Sequence, residues 1–348
     1  MPPPPALVDP LEMMLQGPDP TRLRVGLAVP TSGVLGLTGP AAIAAATLAA
    51  EEVNGAGGVR GRPVELVPID AGAPPDDVAA QVSSLIGAES IEALVGFHTS
   101  DIHRRLERVT STRIPYLFTP PHEGGTRLPG VSLLGEGPGE QLLPAVRALT
   151  DQTGGRRWAL IGNDYIWPRA MHAVAVPMLR GHGADIVLVE EVPFGQVDPD
   201  RLLSQIAAAR ADVVLLSLVG RDLAVFNRAF AESPLRGRVL RVCGALDETG
   251  LLEIDGDDTG ELFTTMRWYA SDPEAQALSE RYHRRWGAHA PSLGVYAAGC
   301  YEGVHHLARL AGMRPLRMAA AADSAAYPMK PGQPRLARAD GLDLLPIA

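Results

Sequence analysis

The chain has 348 residues, with 31 Lys and Arg against 40 Asp and Glu and a formal net charge of −9. That length exceeds one comfortable hydrophobic core and argues for two lobes. The mixed, mildly acidic charge without a basic stripe excludes direct nucleic-acid binding, and no run approaches the ~18 apolar residues of a membrane-spanning helix.

Residues 1–21 carry no cation before Arg22 and are broken by prolines, Asp9 and Glu12, so the sequence predicts a disordered leader rather than a secretory signal. A cytoplasmic location is the expectation that follows. From Leu23 onward, short apolar runs alternate with helical patterns. Strand 23–29 leads to an alanine-rich helix with Thr38 as cap, Pro40 in its first turn and Asn54-Gly55 as its stop. Strand 63–70, a helix near 75–88, strand 91–97, helix 101–110 and strand 114–119 follow. Gly135–Gly139 marks a crossing between lobes. A second series comprises helix 140–150, strand 157–162, helix 168–181, strand 185–192, helix 199–209, strand 211–217, helix 221–231 and strand 238–243. Strand 261–267 returns the chain, helices 273–286 and 294–311 close the first lobe, and Asp340-Gly341 is a hairpin turn in the tail. Strand and helix alternation of this kind builds parallel sheets, with ligands at the carboxyl ends of the strands.

Chemistry-bearing motifs are sparse. There is no G-x-S-x-G elbow, P-loop or G-x-G-x-x-G after a strand, and His122-Glu123 lacks the second histidine of a zinc helix. The turn Asp255–Gly260 starts like a calcium loop, but its twelfth position is Met266, so a solvated turn is expected. Cys243 and Cys300 lie in no metal spacing and read as two buried free thiols, with one disulfide between them as the other reading. His98 and His103 are five apart, poor spacing for one helical face. No enzyme, cofactor or metal site is expected.

Four segments carry a resemblance: V-G-L-A-V-P-T-S-G from Val25, E-E-V-N-G-A-G-G-V-R-G-R-P-V-E-L (51–66), P-P-H-E-G (120–124) and I-G-N-D-Y-I-W-P-R (161–169). Together they resemble the type I periplasmic-binding-protein superfamily, in the branch of amide sensors, urea-binding and branched-chain amino-acid-binding proteins. The second segment is read as a helix stop with a left-handed cap at Asn-Gly. The resemblance implies an α/β fold of two doubly wound Rossmann-like lobes joined by a three-crossing hinge. Lobe 1 would hold 22–137 and 268–315, and lobe 2 would hold 138–267 with part of 316–348. A small ligand would sit between the lobes and drive closure.

Carried over motif by motif, the resemblance implies ligand contacts from Thr31, Ser32, His98, Ser100, Phe118, Pro121 and His122. The second lobe would add Tyr165, Trp167, Gly220 and Arg221 within Val219–Asp222, and Asp247 with Glu248. Tyr165 is the leading contact. Ser100 is read either as a contact or as the cap of helix 101–110. His98 and Phe118 stand where the branch has tyrosines, which implies a pocket with fewer hydroxyls. Asp247 and Glu248 could meet an amino group, with an N-cap role as the other reading of Asp247. The expected function is a cytoplasmic sensor of amide- or urea-like ligands that acts on a regulatory protein partner, as a monomer or homodimer, with no membrane insertion. The alternative is the substrate-binding protein of an ABC transporter for amides, urea or branched-chain amino acids.

Overall fold

The structure is a computed structural model and describes residues 6–152, 154–321 and 332–347. The chain divides into two compact units. The described residues of the first fall within Met1–Pro120, Gly125–Gly135 and Glu280–Lys330, and those of the second within Pro121–Gly124, Glu136–Ser279 and Pro331–Ala348.

The first unit begins with helix α1 (Pro10–Gln16), which the sequence reading had placed in a disordered leader. Asp9 caps it by accepting the N–H groups of Leu11 and Glu12, and Met13 is buried. Ahead of it, Leu66 N–H donates to Ala6 O and Val8 N–H to Leu66 O, so residues 6–8 run along the edge of a sheet. That sheet holds β1 (Leu23–Val29), β2 (Val64–Asp70), β3 (Ala93–Gly96), β4 (Tyr116–Phe118) and β5 (Val131–Leu133). All neighbours are parallel, in the order β2-β1-β3-β4-β5. Every residue of β1 is buried, as expected where helices cover both faces. The helices are α2 (Gly39–Gly55), α3 (Pro75–Gly87), α4 (Ser100–Thr110) and α11 (Val295–Met313), and α11 packs along α2.

Two helix ends differ from the sequence reading. Thr38 occupies the cap position of α2, but its hydroxyl donates to Leu35 O at 2.6 Å and caps nothing. At the other end Gly55 is still helical. The chain first turns left-handed at Gly57 and Gly58, at φ 98° and 72°, and Asn54 instead pairs its amide with both backbone groups of Val64, at 2.6 and 2.9 Å. Asn54 therefore ties the end of α2 directly to the start of β2.

The second unit holds α5 (Pro138–Val146), β6 (Arg157–Asn163), α6 (Ile166–Gly181), β7 (Asp185–Val192), α7 (Pro199–Ala209), β8 (Val213–Ser217) and α8 (Gly220–Ala231). It continues with β9 (Leu240–Cys243), the short α9 (Glu248–Glu253), β10 (Leu262–Met266), β11 (Arg335–Asp340) and β12 (Asp343–Pro346). Its sheet runs β12-β11-β10-β9-β8-β6-β7, parallel except for the antiparallel β10-β11-β12 edge. The helix expected over 140–150 ends at Val146 and continues as a π-turn over Arg147–Gln152. The tail hairpin forms with Asp340 opposite Asp343, so Gly341 and Leu342 make its turn, and Gly341 supplies the positive φ at 60°.

The Asp255–Gly260 segment is not a solvated turn. Asp257 is buried and accepts from Arg241 at 2.8 Å, while the Arg241 guanidinium stacks 4.1 Å from the Phe230 ring and donates to Asn227. Both cysteines are free and buried, Cys300 in the first unit and Cys243 in the second. Among the described residues no helix is long and apolar enough to cross a membrane, and no group of three or more His, Cys, Asp or Glu could hold a metal.

Candidate functional site

In the first unit the carboxyl end of β1 runs into Thr31 and Ser32, both exposed. One carboxylate organises this turn. Asp70, the last residue of β2, accepts the N–H groups of Thr31, Ser32 and Gly72 on Oδ1 at 2.8, 3.2 and 2.8 Å. Burial raises the Asp70 carboxyl, but the hydrogen bonds from Ser32, Thr31 and Gly72 outweigh it and hold the group below its ordinary value. The approach is close: a Cβ on Gly72 would stand 2.1 Å from Ser32 O.

His98 follows β3 and is buried with both ring nitrogens engaged. Nδ1 lies 3.1 Å from Thr99 O, which can only accept, so Nδ1 carries the proton. Nε2 is then an acceptor and takes the Tyr116 hydroxyl proton at 3.0 Å, leaving the Tyr116 oxygen to accept from His103 Nδ1 at 2.9 Å. Tyr116 thus joins two histidines whose spacing had argued against a shared face. Burial pushes His98 down to about 4, so it is neutral near pH 7. Phe118, at the end of β4, stacks on His103 with centroids 4.0 Å apart. Ser100 is buried as the first residue of α4. The cap position belongs to Thr99, so Ser100 is not the cap.

Pro121 and His122 sort with the second unit, apart from Phe118. His122 donates its N–H to Glu136 O at 3.0 Å and accepts the Gly124 N–H on Nδ1. Tyr165 takes the cap position of α6 and Trp167 its first turn; the Tyr165 ring packs 4.9 Å from Phe194 and 6.4 Å from Trp167. Trp167 lies across the carboxyl end of β9, its Cη2 3.0 Å from where a Cβ on Gly244 would stand. Its indole N–H is buried without a hydrogen-bond partner among the described residues.

Gly220 opens α8 at φ 49°, and Arg221 is exposed. Asp222 turns inward: its Oδ2 accepts from Asn163 at 2.7 Å and from Gly195 N–H at 2.9 Å, while Asn163 accepts the Val219 N–H. This network pins the ends of β6, β7 and β8 together. Asp247 caps α9 by accepting Gly250 N–H at 3.0 Å, and burial pushes its carboxyl up to about 6. Glu248 accepts Ala270 N–H on Oε1 at 2.6 Å, and its Oε2 is buried without a hydrogen-bond partner among the described residues. Burial, then the neighbouring Asp247 carboxylate, push Glu248 up to about 8.

Sequence reasoning missed Asp70, Tyr116, Asn163 and Phe194. Asp70, Asn163 and Phe194 stand at or beside a strand's carboxyl end, the only signal they gave, whereas Tyr116 opens β4 and gave none. A cavity of about 600 Å³ in the first unit touches none of the candidates. It lies by the amino ends of β1 and β3 and is lined among others by Arg62, Ile91, Arg113 and Ile114.

Two α/β units with parallel-dominated sheets, and a chain that passes between them within residues 120–136, at Ser279-Glu280 and again between residues 321 and 332, define the type I periplasmic-binding-protein fold. The chain belongs to the periplasmic binding protein family, whose sequence profile matches residues 22–333. A solute-binding protein of an ABC transporter from R. palustris, in complex with benzoate, is similar in structure at TM-score 0.77 and 17% identity, covering 94% of this chain and 96% of that one. The isoleucine complex of a branched-chain amino acid transporter substrate binding protein from Streptococcus pneumoniae matches at TM-score 0.77 and 16% identity, over 93% and 97%. An ABC transporter substrate-binding protein from Sphaerobacter thermophilus matches at TM-score 0.75 and 20% identity, over 94% and 97%.

Proposed function

We propose that this protein is the solute-binding component of an ABC-type transporter and holds a small organic solute. The observation that carries this is the family match over residues 22–333, alongside structural neighbours that bind benzoates or isoleucine for transport. These findings favour the transport reading over a cytoplasmic amide sensor. The solute is held by groups at the carboxyl ends of the strands, as open α/β sheets dictate. In the first unit Ser100 and the Thr31-Ser32 turn lie at strand ends, and in the second the aromatic set Tyr165, Phe194 and Trp167 does. An apolar body and one or two oxygen acceptors suit those walls.

Thermal unfolding of the purified chain against benzoate, 4-hydroxybenzoate, isoleucine, acetamide and urea tests the reading. A solute at a hundred times its dissociation constant adds about 2.7 kcal/mol of stability and raises the midpoint. The expected result is a rise with at least one organic acid that is reduced in Tyr165→Ala. No rise with any member of the panel would sink the solute-binding reading.

A further inference from the structure

Two polar side chains past the carboxyl ends of the neighbouring strands β9 and β10 are more than nine-tenths buried, yet each has an atom with no hydrogen-bond partner among the described residues: Trp167 at Nε1 and Glu248 at Oε2. Trp167 lies against Gly244, the residue after β9, and Glu248 opens α9 four residues later. Buried polar groups left without a partner cost stability, which makes such pairs candidates for contacts completed by something else. Their chemistry narrows what that is. An indole N–H can only donate.

The surroundings of Glu248 set its state. Asp247 and Asp272 are acidic, Tyr269 is a buried phenol, and Arg335 is committed to Asp272 at 2.9 Å. Oε1 is already an acceptor for Ala270 N–H. A buried carboxyl beside acidic groups, with no cation of its own, keeps its proton. Oε2 is therefore a donor, like the indole.

Two donors at neighbouring strand ends call for an oxygen acceptor and offer nothing to an ammonium group. Resting on the solute-binding reading, we propose that Glu248 donates a hydrogen bond from Oε2 to an acceptor oxygen of the solute and, with the Trp167 indole, selects carboxylate- or carbonyl-bearing solutes that lack an ammonium group. The Asp247-Glu248 pair, which the sequence offered as an anchor for amino groups, works in the opposite sense.

The test is calorimetric titration of the full chain with benzoate, benzamide and isoleucine at pH 7. A pH 6–9.5 profile of the tightest binder follows, in the wild type and in Glu248→Gln. Benzoate or benzamide should bind at least tenfold tighter than isoleucine. Above about pH 8 the wild-type affinity should fall roughly tenfold per pH unit as Glu248 ionises. Glu248→Gln keeps a donor on the same frame, so it should bind at pH 7 and lose that pH dependence, which a structural role would not predict. Isoleucine binding tightest, a wild-type profile flat through pH 9, or a Glu248→Gln variant with the wild-type profile would each overturn the proposal while leaving solute binding intact. If no probe binds the wild type, the solute-binding reading fails and this proposal with it.

Discussion

At the scale of single residues, the largest stability effects should come from buried charge and close backbone approach. Arg241 is fully buried and divides its guanidinium among Asp257, Asn227, Thr259 and the Phe230 face. Asp257→Leu strands that cation, and removing one member of a buried pair costs about 3–5 kcal/mol. The double variant Arg241→Met with Asp257→Leu should recover a large part of the loss, because the uncompensated charge goes with it. Urea denaturation of the wild type and the two variants reads both numbers, and a double variant no more stable than Asp257→Leu would contradict the argument. Gly72 makes a different demand. A Cβ there meets Ser32 O at 2.1 Å and Ser32 C at 2.5 Å, backbone atoms that no rotamer change can clear. Gly72→Ala should therefore push the Thr31-Ser32 turn off Asp70 and weaken solute binding in calorimetric titration, while far-ultraviolet circular dichroism stays that of the wild type.

At the scale of elements, the N-terminal segment acts as a cover for a sheet edge. Residues 6–8 pair with Leu66 on the open side of β2, Met13 buries itself in the core that includes Val67 and Ile69, and Arg24 donates to Gly17 O at 2.7 Å. An exposed edge strand invites pairing with other chains. Deleting residues 1–17 should leave the remaining chain folded but prone to associate, read as a concentration-dependent mass by light scattering; a strictly monomeric truncated chain would show that the edge needs no cover. The sequence hid this element. A seven-residue helix flanked by prolines has too few turns for a periodic pattern, and only its tertiary contacts make it worth forming. Longer elements were legible, because α7 and α10 (Pro273–Trp286) have strong amphipathic periods and proline starts, and β1 is an apolar run interrupted only by Arg24. The candidate site was legible only in position. Strand ends pointed to Thr31, Tyr165 and Glu248, but whether a side chain is free or spent depends on partners far along the chain. Asp222 was grouped with the ligand contacts, whereas Asn163, 59 residues earlier, and Gly195 consume its Oδ2.

For the molecule as a whole, buried titratable groups divide into two sets that tilt stability in opposite directions with pH. His98 and His172 are held neutral, each pushed by burial down to about 4 from 6.5. The unfolded chain protonates them first, so their contribution is complete above about pH 6.5 and is lost as pH falls toward 4. Asp247 and Glu248, pushed up to about 6 and about 8, hold protons that the unfolded chain has released. Their contribution is complete at acid pH, below their unfolded values, and is lost as pH rises through 6 and then 8. Between about pH 4.5 and 6 the two sets act in opposite directions. From about pH 6.5 to 8 the histidines no longer change, and Glu248 alone among these four still differs between folded and unfolded states. Stability should therefore fall across that window, by up to about 1.4 kcal/mol per pH unit for one proton. Urea unfolding at pH 6.5, 7.0, 7.5 and 8.0 measures the slope, and Glu248→Gln should flatten it because the carboxamide cannot ionise. A variant that keeps the wild-type slope would mean that Glu248 is ionised in the folded protein at neutral pH. That outcome would also remove the donor on which selection against ammonium-bearing solutes depends.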